Sequence, residues 1–302
     1  MSTPPGAAVQ PRISVVIRCH NEAKHIGRLL ESLGQQTRRD VEVVIVDSGS
    51  NDGTLGIAAR FPATVLHLSP EEFSFGRSLN IGCAAARGEF LVFASAHVYP
   101  CDHDWLDRLI APFADPGVAL TYGRQIGHAT SKFSETRLFG KQYPATSNAD
   151  QQIPFCNNAN AAVRRSLWEQ HAYDESLTGL EDLAWGQWAL AQGYRIAYVA
   201  EAAIVHIHEE TPARVRHRYE REALALRRIV PESQLSFSEC IRLAWRQIWG
   251  DLVAMVRERQ TLRLAPEIIM FRAMQYWGTF RGMQVRSPVT QQLLHRFYYP
   301  ED

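Results

Sequence analysis

Apolar residues recur along this chain in two rhythms. Unbroken runs at residues 13–18 (Ile-Ser-Val-Val-Ile-Arg), 41–46 (Val-Glu-Val-Val-Ile-Val), 63–68 and 90–94 (Phe-Leu-Val-Phe-Ala) have the length and β-branched or aromatic content of buried strands. Between them the spacing is helical. Asn21 is placed to cap a helix carrying Ile26, Leu29, Leu30 and Leu33, which Gly34 closes; residues 55–60 and 78–86 form the next two. Strands alternating with helices over the first hundred residues predict an α/β fold whose mostly parallel sheet carries helices on both faces. Right-handed crossovers then gather the strand carboxyl ends along one edge, where ligands bind in such sheets.

The pattern continues with a helix over 105–113, a strand over 119–125, a polar mobile loop over 131–150, a strand over 161–165 and a helix over 180–192. Two closing strands follow at 196–199 and 203–206, and from Pro212 onward the spacing is helical. The expected organisation is therefore a flexible N-terminus over 1–12, an α/β domain over 13–210 and a helical region over 211–302. Composition is that of an ordinary globular chain, 46% hydrophobic and 21% charged. No apolar run reaches the roughly 18 residues of a membrane span, and the first residues lack the apolar core of a signal peptide. Five scattered cysteines without a CxxC pair suit reduced thiols and a cytoplasmic setting.

The formal net charge of zero hides an asymmetry. From Thr211 on there are 15 basic residues, all arginine, against nine acidic ones. Arg214, Arg216, Arg218, Arg221, Arg227, Arg228, Arg246, Arg272 and Arg281 are interleaved with Trp245, Trp249, Phe271, Tyr276, Trp277 and Phe280. That mixture suits a helix lying on an anionic membrane surface, at the inner leaflet. It equally suits a subdomain packed on the core or on the twin subunit of a homodimer. Nucleic acid is excluded as a partner by the admixed acids and the lack of a recognised motif.

Two strand ends carry the chemistry. The second strand delivers Asp47 to the ligand edge, where a carboxylate accepts hydrogen bonds from a base N–H or ribose hydroxyl. Asp52, before Gly53 and Thr54, divides between that role and an Asx turn or helix cap. The central strand ends at Ser95-Ala96-His97, which sets an imidazole at the same edge. Neither a GxGxxG nor a GxxxxGK[ST] segment follows any strand, so dinucleotide and P-loop chemistry are disfavoured.

Ile13-Ser14-Val15-Val16-Ile17-Arg18-Cys19-His20-Asn21-Glu22 and Val43-Val44-Ile45-Val46-Asp47-Ser48-Gly49-Ser50-Asn51-Asp52-Gly53-Thr54 resemble the opening of family 2 glycosyltransferases with the GT-A fold. Asn80-Ile81-Gly82, Ala86-Arg87-Gly88-Glu89, the stretch from Asn157 to Arg165, Gly179-Leu180-Glu181-Asp182 and His206-Ile207-His208 extend the resemblance over residues 13–210. Phe75-Gly76-Arg77 and the C-terminal helices are similar to its rhamnosyltransferase-like branch.

The resemblance implies inverting transfer from a UDP-, dTDP- or GDP-linked sugar to a hydroxyl of a glycan or lipid-linked oligosaccharide, in surface-polysaccharide biosynthesis. Asp47 and Asp52 would hold the nucleoside and the backbone at Ile17 and Arg18 would line the base. Asn21 and Glu22 would support that loop, with Arg77, Asn80, Ser95, Ala96 and His97 completing the donor site. Asp182 matches the base, with Glu181 as runner-up, and the helix N-terminus beside them favours ionised carboxylates. Asn157, Asn158, Asn160 and Trp185 would line the sugar pocket; a turn and core packing are the plainer readings of the asparagines and the tryptophan.

Ser95-Ala96-His97 departs from the family's Asp-x-Asp, whose carboxylates hold a divalent cation on the diphosphate. Three readings stand. His97 joins His208, with His206 as the alternative, around Mn²⁺ or Mg²⁺, an imidazole set preferring the transition ion. Or His97 and arginines such as Arg77 bind the diphosphate without metal. Or catalysis is lost, leaving a silent sugar-nucleotide or glycan-binding module.

Overall fold

The computed structural model describes residues 11–285, 293 and 297–299; most of the expected flexible N-terminus and the end of the helical region lie outside them. Four strands, β1 (Ile13–Cys19), β2 (Val41–Asp47), β3 (Ala63–His67) and β4 (Phe90–Ser95), pair in parallel in the order β3-β2-β1-β4. Their crossovers are α1 (Ile26–Gly34), α2 (Thr54–Ala58) and α3 (Phe75–Ala85). In α1 the four residues with helical spacing are the buried ones, as burial of one helix stripe requires.

Beyond β4 the sheet turns mixed. After β5 (Val98–Pro100), α4 (Trp105–Ile110) and β6 (Val118–Gly127), the segment expected as a loop folds into α5 (Phe133–Gln142) and β7 (Asn148–Gln151). Strand β8 (Asn160–Arg164) inserts antiparallel between β4 and β6. The short α6 (Arg165–Trp168) and then α7 (Glu181–Ala191) follow. The two expected closing strands are one continuous β9 (Arg195–His206), parallel to β6 and flanked antiparallel by β5 and β7. Apolar side chains fill both faces: Ile17, Leu29 and Trp105 belong to one buried layer, Val16, Leu79 and Trp185 to the other.

Three helices complete the described chain: α8 (Pro212–Ile229), α9 (Phe237–Arg257), which starts with a Ser236/Glu239 capping box, and α10 (Ala265–Gln284). Helices α8 and α10 touch through backbone. A Cβ on Gly278 would run into the Arg216 carbonyl oxygen, and one on Gly282 into that of Glu220. Gly282→Ala is therefore expected to cost about 1–3 kcal/mol, read as a lowered urea midpoint; an unchanged midpoint would mean the helices can move apart freely.

A buried ion pair ties the helical region to the sheet domain. Arg272 of α10 and Asp251 of α9, each 1% exposed, meet at 2.7 Å, and Asp251 also accepts from Arg137 of α5 at 3.0 Å. These partners explain why α5 forms from a polar stretch: its inward polar groups are satisfied by distant helices rather than by a local apolar stripe.

Candidate active site

One cavity of about 750 Å³ opens at the carboxyl ends of β1 and β4, and its other wall comes from α7 and α8. Asp47, expected in the donor site, does not line the cavity: it is buried at the end of β2, 1% exposed. Its Oδ2 accepts from the backbone N–H groups of Gly49 and Ser50, both at 3.1 Å, while Oδ1 is buried without a hydrogen-bond partner. An unsatisfied buried acceptor is costly, and a donor group of a nucleoside would satisfy it. Asn21, in a left-handed conformation, clasps this loop: its N–H donates to Ser50 Oγ and its Oδ1 accepts from Asn51, both at 2.8 Å.

Sheet register gathers three histidines at the cavity. Val98 of β5 pairs with His206 of β9, and the Ile207 N–H donates to the His97 carbonyl at 3.1 Å. His97, His206 and His208 are thereby brought together, one ring nitrogen of each within 4.8 Å of the others. Each Nδ1–H donates to an oxygen at 2.7 Å: His97 to Glu22, His206 to Gln125 and His208 to Glu135. Outer partners of this kind fix the tautomer, leaving each Nε2 as the ligand atom. His206 Nε2 is buried without a partner, and burial together with its two histidine neighbours depresses the ring's pKa well below the usual imidazole value. Although burial acts to raise the Glu135 pKa, His208 and Arg218 bring it down to about 2. The three imidazoles fit a divalent transition ion.

Asp182 and Glu181 open α7, behind Leu180 at φ 56°. A bulky residue in the left-handed region is strained, and such strain collects at functional sites. Glu181 Oε1 meets Arg18 at 3.0 Å. Asp182 accepts only backbone N–H groups, from Asn158 at 3.1 Å and Leu183 at 2.8 Å. The helix end was expected to favour ionisation. Burial and then the Glu181 charge outweigh it and push Asp182 up to about 7.

Several expected site residues lie elsewhere. Ile17 and Ala96 are core residues, and the Ile17 backbone is paired with β2 and β4. Asp52 does not line the cavity: it accepts from the Thr54 and Ala23 N–H groups, both at 3.1 Å, and so closes an Asx turn, while the cap position of α2 is Gly53. Arg77 bonds Glu72 and Glu175, both at 3.4 Å, and Asn80 bolts Tyr173 and Trp168 in place. Asn160 spends its amide on Trp105, Arg124 and Ala202, and Trp185 is in the core, donating to the His171 carbonyl. Arg18, Asn21, Glu22, Ser95, His97, Asn157 and Asn158 do line the cavity.

Other residues at the cavity carry no local sequence signal. Phe75 is covered by the guanidinium groups of Arg18 and Arg221, at 4.7 and 4.5 Å from its ring centre. Arg218 and Glu222 of α8 line the wall. Near the end of β2, the Tyr299 hydroxyl donates to the Ser48 carbonyl at 3.3 Å and its ring meets His20 edge-on at 4.7 Å. The α8 arginines, for which a membrane-facing arm and a packed subdomain were both expected, divide between the cavity and neighbouring carbonyls: Arg214, Arg218 and Arg221 line the cavity, while Arg228 donates to the Ser176 carbonyl and Arg227 to those of Met283 and Val285.

The chain is 31% identical to the O-antigen chain rhamnosyltransferase WbaN of Salmonella anatum over 196 residues, 61% of this chain and 62% of WbaN. It is 26% identical to the O-antigen chain rhamnosyltransferase RfbN of Salmonella typhimurium over 220 residues, 69% of this chain and 70% of RfbN. Among solved structures it is similar to the mannosyltransferase PcManGT of Pyrobaculum calidifontis, in complex with GDP-Man and Mn²⁺, at a TM-score of 0.65 and 17% identity, covering 92% and 88% of the two chains. At that identity the fold is what is shared, and the fold is that of GT-A glycosyltransferases. The model of Glycosyl transferase family 2 matches residues 14–171, more than half of the chain and the whole nucleotide edge, and the chain belongs to that family.

Proposed function

We propose that the protein is an inverting glycosyltransferase that moves a 6-deoxyhexose of the rhamnose type from a nucleotide-diphosphate donor to a hydroxyl of a growing surface polysaccharide on a lipid carrier. The observation that carries the reading is geometric: the buried carboxyl of Asp182, at the start of α7, lines the same cavity as the three histidines, and burial with the Glu181 charge raises its pKa. A base tuned near neutral pH is what proton removal from a sugar hydroxyl requires. The names of WbaN and RfbN support the sugar and the polysaccharide.

In this mechanism Asp47 Oδ1 accepts a hydrogen bond from the nucleoside, with Tyr299 walling that end of the cavity. His97, His206 and His208 would hold a divalent ion, Mn²⁺ in preference to Mg²⁺. Such an ion supplies charge neutralisation on the departing diphosphate. Asn157 and Asn158 present amide and backbone groups on the sugar side. Asp182 takes the acceptor proton as the hydroxyl oxygen attacks the anomeric carbon and the C–O bond to the diphosphate breaks. The proton ends on Asp182 and the electron pair on the nucleoside diphosphate.

Calorimetry with a panel of UDP-, dTDP- and GDP-sugars, with Mn²⁺ or a chelator, combined with nucleoside diphosphate release, tests the reading. One donor class should bind well only with metal present and be turned over when a glycan acceptor is added. Binding without any turnover would return the chain to the silent-module reading. Tyr299→Ala should weaken that donor about tenfold, since ring stacking on a base contributes about 1–3 kcal/mol; unchanged affinity would remove Tyr299 from the site.

A further inference from the structure

Helix α9 has two apolar faces. Cys240, Ala244, Ile248 and Met255 are buried. Phe237, Ile241, Trp245 and Trp249, spaced by four residues, form a second stripe that is exposed, with Trp245 at 66% and Trp249 at 70%. The stripe is continuous with α10: Phe237 meets Phe280 edge-on at 5.6 Å, and Phe280 stacks on Trp277 at 5.8 Å. Isolated exposed apolar residues are ordinary, but a contiguous aromatic ridge marks an interaction surface.

We propose that this ridge docks on an anionic lipid surface. The argument is chemical. Indole rings favour the boundary between headgroups and acyl chains, where the ring is desolvated and its N–H stays wet. Arg242 and Arg246 lie beside the tryptophans on α9, and Arg242 has one acidic neighbour, Glu239, at 3.9 Å. Among the described residues no helix is long and apolar enough to cross a membrane; the ridge fits a helix lying along the surface. A second copy is the poorer occupant. A two-fold pairing sets the same patch against itself, bringing arginines near arginines, whereas a layer of anionic headgroups complements them all. Docking would hold the cavity at the surface where a lipid-linked acceptor is presented; that clause alone rests on the function proposed above.

The test is sedimentation of the full chain with vesicles of phosphatidylcholine alone and of phosphatidylcholine mixed with phosphatidylglycerol. Binding to the mixed vesicles, weakened by salt, is expected, with little to the neutral ones. The Trp245→Ser/Trp249→Ser pair and the Arg242→Glu/Arg246→Glu pair should each lower the partition coefficient about tenfold or more. Circular dichroism melts should match wild type, because all four side chains are outside the core. Absence of binding, equal binding to both vesicle types, or variants that bind like wild type would each overturn the proposal. So would ultracentrifugation in which the tryptophan pair converts a dimer to a monomer while vesicle binding stays unchanged. Sedimentation needs no turnover, so its failure is separable from failure of the transferase reading.

Discussion

Asp182→Asn lowers sugar transfer by about two to four orders of magnitude, the usual weight of a positioned general base, and leaves donor affinity intact. In the proposed mechanism the donor's nucleoside and diphosphate meet Asp47 and the histidines, so only the proton-removal step should suffer. The wild-type rate should rise with pH and level off above about 7, because Asp182 acts as a base only when ionised and its pKa is about 7. Glu181 gives the sharper control. Its negative charge is one reason the Asp182 pKa is high, so Glu181→Gln should move the acid limb of the profile to lower pH. Near wild-type turnover in Asp182→Asn, or an acid limb that stays in place in Glu181→Gln, would remove Asp182 from the base role.

Loss of one imidazole should be nearly as damaging. His97→Ala takes away one of three ligands, and Mn²⁺ binding followed by calorimetry or spin resonance should fall below detection along with metal-dependent donor binding. Glu22→Gln keeps an oxygen for the His97 Nδ1–H but replaces a charged acceptor with a neutral one, so metal affinity should drop by about 10–100-fold. This graded pair separates ligand from support. Mn²⁺ affinity unchanged in His97→Ala would leave direct binding of the diphosphate by His97 as the surviving explanation.

The parallel half of the sheet was legible because β1, β2 and β4 are buried on both faces and read as unbroken apolar runs. The region of α5 and β7 was not, since the Glu135 side chain points inward to His208 and the Ser134 carbonyl accepts from Arg272, partners more than seventy residues away. Strand β5 is three residues long, too short for periodicity, yet its register with β9 builds the histidine cluster. Motif resemblance located the right segments but not which way each side chain faces. Asn157 and Asn158 reach the cavity while Asn160, one strand step further, points into the core. The arginines from Thr211 onward were read as one population. Burial divides them into cavity residues on α8, an ion pair on α10 and a surface flank on α9.

The backbone contact of Gly278 and Gly282 with α8 bears on how this enzyme can be recombined. Residues 14–171, the span of the family model, contain the nucleotide edge but neither Asp182 nor the α8 wall. That wall is held by α10, so a chimera must carry α8 and α10 from one parent to keep the interlocked surfaces matched. A graft ending after β9 would pair one parent's acceptor-side residues with a foreign helix. A graft exchanging the helical region whole would also exchange Tyr299, which lines the cavity and bonds the Ser48 carbonyl, so donor affinity and acceptor preference should both follow the helical parent.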